Sequence, residues 1–94
     1  MTQVNEAAYE RYVFDEAARL ALHDQDTDTM RADLFDLYAR AGIKPDSGKI
    51  LEVLRAQKHP SYKRVLYRDK YVDEGVVEAL KEILREVYSE KIYA

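Results

Sequence analysis

The chain has no cysteine and no tryptophan, and only three glycines, two prolines and two histidines among its 94 residues. Each scarcity excludes something. Without cysteine there is no disulfide, no thiolate zinc site and no thiol nucleophile. So few glycines and prolines argue against a many-turned all-β fold and for a few long helices. No run approaches the roughly 20 apolar residues of a membrane span. The stretch Met1 to Glu6 has no basic residue followed by an apolar core, so it does not read as a signal peptide. A cytoplasmic protein is the expectation.

Catalytic signatures are also missing. His23 and His59 stand in different parts of the chain. There is no His-Glu-x-x-His, no Gly-x-Ser-x-Gly and no glycine-rich phosphate loop. Pro45-Asp46-Ser47-Gly48-Lys49 has a Gly-Lys pair, but it lacks the upstream glycine and the Ser/Thr after the lysine. Most carboxylates fall on solvated helix faces, where no burial tunes them for acid–base work. The chain therefore reads as non-enzymatic, with no cofactor and no metal.

What is present is charge, tyrosine and helical periodicity. Residues 1–43 carry nine acidic and four basic side chains, a net −5. Residues 44–70 reverse this with eight basic and three acidic, a net +5, and residues 71–94 return to −3. The apolar share of 47% against 35% charged is that of a globular chain, and its length suits one domain, 1–94.

The clearest helix is the last, about 73–92. Val76, Val77, Leu80, Ile83, Leu84, Val87 and Tyr88 recur at three- and four-residue steps. Asp73 is placed to cap its N-terminus. Helix 1, about 3–23, is apolar over half its circumference, which points to two neighbours. Thr29 to Ala41 reads as helix 2, with Gly42 as its C-terminal cap. Asp46 or Ser47 opens helix 3, which runs to Lys58 before His59-Pro60 breaks it. A short helix 4 is expected from Tyr62 to about Tyr71, with Tyr71-Val72 as a brief extended alternative. The predicted fold is an all-α bundle of four to five helices, with helices 1 and 5 as the core pair.

Asp24, Asp26 and Asp28 alternate in the loop after helix 1 and resemble the opening of an EF-hand calcium loop. The glycine and the closing bidentate glutamate are replaced by Thr29 and Phe35, so the loop reads as a solvated acidic turn whose last Asp caps helix 2.

The basic stretch carries the favoured function. Arg55, Lys58, His59, Lys63, Arg64, Arg68 and Lys70 are interleaved with Tyr62, Tyr67 and Tyr71. Aromatic and cationic side chains together suit a protein interface or a nucleic acid. The plain alternative is that the tyrosines are half-buried and the cations are neutralised by the acidic flanks. The expectation is a small protein-binding module, an adaptor, inhibitor or regulatory subunit, that engages a protein partner through Lys58, Tyr62, Lys63, Arg64, Tyr67, Arg68 and Tyr71. A second reading is a helix-turn-helix nucleic-acid binder formed by 29–41 and 46–58, with Ser47, Lys49 and Arg55 as readers. A third is a homodimer through the apolar end of the last helix, where Ile92 and Tyr93 follow Tyr88. No membrane partner is expected.

Overall fold

The computed structural model describes the backbone of residues 6–93 and the side-chain surroundings of residues 6–88. Four helices and one two-stranded sheet follow in the order α1 (Glu6–His23), α2 (Thr27–Ala41), α3 (Ser47–Lys58), β1 (Arg64–Tyr67), β2 (Lys70–Asp73) and α4 (Glu74–Tyr93). The protein is mostly helical, and among the described residues no helix is long and apolar enough to cross a membrane. Val4, Ile92 and Tyr93 lie outside the residues whose side chains are described.

The apolar stripe of α4 is buried from Val76 to Val87. Val76, Val77, Leu80, Ile83, Leu84 and Val87 all lie in the core. α4 packs along α1 and α3 and touches α2 and β2. On α1, Tyr9, Val13, Ala17, Ala18 and Leu20 are buried, and the two alanines are fully enclosed. Small residues there let another element approach closely. Ala7, at the start of α1, is exposed. Met30, Leu34 and Tyr38 from α2 and Val53 from α3 complete the fully buried set.

The polar flanks of α4 do more than face water. The Tyr38 hydroxyl on α2 donates to Glu86 Oε1 at 2.9 Å, and Lys49 Nζ on α3 donates to the same oxygen at 3.3 Å. Burial and then the Glu86 carboxylate hold the Tyr38 phenol well above its ordinary range. On the opposite flank Arg85 reaches α1, with Nη2 2.8 Å from Glu10 Oε1. Both contacts tie helices distant in sequence, although the exposed Arg85 pair itself stabilises little.

Caps explain the helix ends. Asp26, not Asp28, caps α2: its Oδ2 accepts from the Thr29 N–H at 3.0 Å, which starts the helix two residues before the expected Thr29. Asp28 instead pairs with Arg31. At the other end Gly42 takes φ 71, a conformation that suits glycine, while Gly42 N–H donates to Ala39 O and Ile43 N–H to Tyr38 O. Asp46 caps α3 by accepting from Lys49 N–H.

The first aspartate of the acidic loop is buried. Asp24 is 7% exposed, its carbonyl accepts from Gln57 Nε2 on α3 at 2.6 Å, and its carboxyl meets Asp33 on α2. Burial, then the hydrogen bond to Asp33, push the Asp24 carboxyl up to about 6. With a proton, the pair has a donor between its oxygens; without one, two carboxylates face each other. The folded state binds this proton more tightly than the unfolded chain does. The resulting stability is fully present below about pH 4 and is lost as pH rises through about 6. Asp24→Asn keeps a donor toward Asp33 and carries no charge. We predict that it is more stable than the parent above pH 6, by up to about 3 kcal/mol, with the gap closing toward pH 4. Thermal melts of both proteins from pH 4 to 8 test this; a gap independent of pH would refute it.

Candidate functional site

The segment expected as helix 4 is a β-hairpin, so the mostly helical fold carries four helices and one small two-stranded sheet. β1 and β2 are antiparallel, with Arg64 opposite Asp73, Val65 opposite Val72, Leu66 opposite Tyr71 and Tyr67 opposite Lys70. Period-two alternation explains the choice. Val65, Tyr67 and Val72 fall on one face, and the hairpin lays that face on α1. Tyr67 and Val72 are buried there, at 7% and 4% exposure, and the Tyr67 ring stands edge-on to Phe14 at 6.4 Å. A helix over the same residues would keep Val65 and Val72 together but turn Tyr67 to the opposite side. Leu66 and Tyr71 occupy the outer face, 54% and 65% exposed.

The base of the hairpin is organised by one carboxylate. Asp73 ends β2 and immediately precedes α4. Its Oδ2 accepts from Val76 N–H at 3.1 Å, which caps the helix. Its Oδ1 accepts from Ser61 Oγ and from Tyr62 N–H, each at 3.1 Å. Ser61 Oγ in turn accepts from the N–H groups of Lys63 and Gly75, both at 3.3 Å. A Cβ on Gly75 would come within 3.0 Å of Asp73 Oδ2, so this close approach calls for glycine. Burial raises the Asp73 pKa, but the donors from Val76, Ser61 and Tyr62 outweigh it and hold the carboxyl below its ordinary value.

Two residues pay a conformational cost for this geometry. Tyr62 has φ 68 and Arg68 has φ 58, both left-handed. Arg68 is the first central residue of the two-residue turn Arg68-Asp69, where primed hairpin turns need a positive φ. Its guanidinium lies 5.3 Å from the centre of the Tyr67 ring. Tyr62 is 80% exposed, so a bulky side chain is held in a strained backbone and presented to solvent.

The residues singled out from sequence separate clearly. Lys58, Lys63, Arg64 and Arg68 are exposed, as are Tyr62 and Tyr71. Tyr67 is not an exposed anchor; it is the foot that fixes the hairpin to α1. Of the helix-turn-helix readers, Ser47 is exposed, Lys49 is turned toward Glu86, and Arg55 pairs with Glu52 at 3.4 Å. Leu66, expected with Val65 as the buried pair of helix 4, is exposed, and Ser61 and Asp73, expected only as helix caps, organise the hairpin. The available signal is the enrichment in β-branched and aromatic residues, Val65, Tyr67, Tyr71 and Val72.

The electrostatics of the hairpin differ from those of the bundle. Arg19, Arg31, Arg40, Lys49, Arg55, Lys81 and Arg85 each pair with a carboxylate. Among the described residues Lys58, Lys63, Arg64, Arg68 and Lys70 make no ion pair, and outside this region only Arg11 and Lys44 share that state. The acidic flanks therefore do not neutralise the basic segment through direct pairing. Beside it, a cavity of about 280 Å³ opens between the hairpin and the C-terminal ends of α1 and α3, with Ala21, Leu22, Gln57, Arg64, Tyr71 and Val76 on its walls.

Two outcomes check this geometry. Asp73→Ala removes the helix cap and the hairpin clasp together and is expected to cost about 2–4 kcal/mol in urea unfolding. Tyr62→Gly and Tyr62→Ala both delete the ring, but only glycine relieves the left-handed backbone. The glycine variant should be about 1 kcal/mol more stable than the alanine variant; equal midpoints would refute the strained conformation.

No protein-family model, curated protein or solved structure matches this chain, so its functional reading rests on the hairpin and the bundle that carries it.

Proposed function

We propose that the protein is a small, non-enzymatic, cytoplasmic protein-binding module, a helical bundle centred on α1 and α4 that offers its hairpin to a protein partner. The observation that carries this reading is the concentration of unpaired cations beside exposed apolar side chains. Lys58, Lys63, Arg64, Arg68 and Lys70 make no ion pair among the described residues, and Tyr62, Leu66 and Tyr71 in the same region are exposed. Aromatic and arginine side chains dominate interface energetics when a partner desolvates them. Rim cations speed encounter and select an acidic partner. The support beneath is firm: Tyr67 and Val72 bury the inner face, and Asp73 clasps the base. A presentation surface fixed in this way loses little conformational entropy on binding.

The anchors in this reading are Tyr62, Leu66 and Tyr71, with Lys58, Lys63, Arg64 and Arg68 as charge contacts. The nucleic-acid reading is weaker on α3, where Lys49 is engaged by Glu86 and Glu52 stands beside Arg55. It keeps one support, the same free cations, which would suit phosphates.

Charge reversal tests the proposal. Lys63→Glu, Arg64→Glu and Arg68→Glu together should abolish capture of protein partners, as read by quantitative mass spectrometry. Arg11→Glu with Lys44→Glu, which reverses free cations elsewhere, should leave capture unchanged. Equal capture by all three proteins would overturn the reading. Double-stranded DNA titrated by anisotropy at about 50 and 200 mM salt gives the second arm: tight binding that collapses at the higher salt would put the nucleic acid first.

A further inference from the structure

The cavity beside the hairpin is an open pocket rather than part of the core. At about 280 Å³ it is near the lower end of ligand-site volumes and holds one large side chain. Its walls divide by chemistry. Ala21 and Leu22 from α1 and Val76 from α4 are apolar. Arg64 and Tyr71, on neighbouring strands, frame it from the hairpin. The carboxylate on its wall, Asp73, already accepts three hydrogen bonds and is buried. The charge left for a visitor is therefore positive: Arg64, with Lys63 next to it in sequence and Lys58 at the end of α3. Gln57 on the wall is turned toward the bundle, where its Nε2 donates to the Asp24 carbonyl at 2.6 Å.

We propose that this cavity receives one large apolar side chain of an acidic segment of a partner protein. The side chain seats against Ala21, Leu22 and Val76, and a flanking carboxylate meets Arg64. This rests on the protein-binding reading and specifies its partner. A desolvated apolar anchor ringed by charge pairs is the usual division of labour at an interface: the anchor holds, and the rim selects. A phosphate backbone would use the cations but leave the cavity empty.

Selection of random short peptides displayed on phage against the immobilised full chain tests this without choosing the ligand in advance. Recovered peptides are synthesised and titrated by anisotropy. The expected consensus has Asp or Glu around one large apolar residue. Arg64→Glu, which removes the charge contact, and Ala21→Met, which fills the cavity, should each weaken binding at least about tenfold, while Arg11→Glu does not. If Ala21→Met fails to fold, Gln25→Trp at the exposed mouth of the cavity serves instead. Peptides without acidic residues, undiminished binding to the filled variants, or no enrichment at all would overturn the proposal. So would displacement of the peptides by double-stranded DNA at about 200 mM salt. Peptides that need Lys63, Arg64 and Arg68 yet ignore Ala21→Met would remove this inference and leave the surface reading standing.

Discussion

One buried carboxylate sets the relation between the hairpin and the bundle. Asp73 caps α4 with one oxygen and gathers Ser61 and Tyr62 with the other. A helix start has orphan N–H groups that need an acceptor, and a strand leaving a proline break needs a fixed entry. The same side chain meets both needs. Its three donors come from backbone and hydroxyl groups rather than from a cation, so the clasp does not draw on the basic residues a few positions away. The free charge of the hairpin and the rigidity of its base are thus independent of each other.

Elsewhere charge is used for assembly. Glu86 accepts from both Tyr38 and Lys49, joining α4 to α2 and α3, and Arg85 joins α4 to α1. Most other cations pair three or four residues away on their own helix. Such pairs stabilise weakly, but they occupy the charge. The hairpin is the exception because antiparallel strands offer no such neighbour: Arg64 faces the already engaged Asp73, and Lys70 faces Tyr67.

The helices were legible where periodicity and caps agree. The stripe from Val76 to Val87 is buried as its spacing required, and Gly42, Asp46 and Asp73 sit at their helix ends for the reasons their residue types suggest. The hairpin was harder to read. Its turn is Arg68-Asp69 rather than a pair with Gly or Asn, so the usual mark of a positive φ is absent. Tyr62, also left-handed, gives no local warning that the chain reverses its course. Four-residue strands show too few alternations to outweigh a helical reading. The cationic surface survived the change of secondary structure because composition located it. Its tyrosines did not all survive, since strand alternation sends Tyr67 inward and leaves Leu66 outside.

The packing of α1 against α4 also shapes how the chain must assemble. About fifty residues separate the end of α1 from the start of α4. Val13, Ala17 and Ala18 are enclosed in a core to which α4 supplies a long apolar face, so α1 cannot complete its burial from its own neighbourhood. The α2–α3 contact is local and closes a short loop; the α1–α4 contact closes a long one, and its entropy is lost before any burial rewards it. The hairpin lies at that closure, touching α1 through both strands and passing directly into α4 at Asp73. It is the joint through which the last helix meets the first, and a chain in which that joint is broken would leave the inner face of α1 open to water and to other chains.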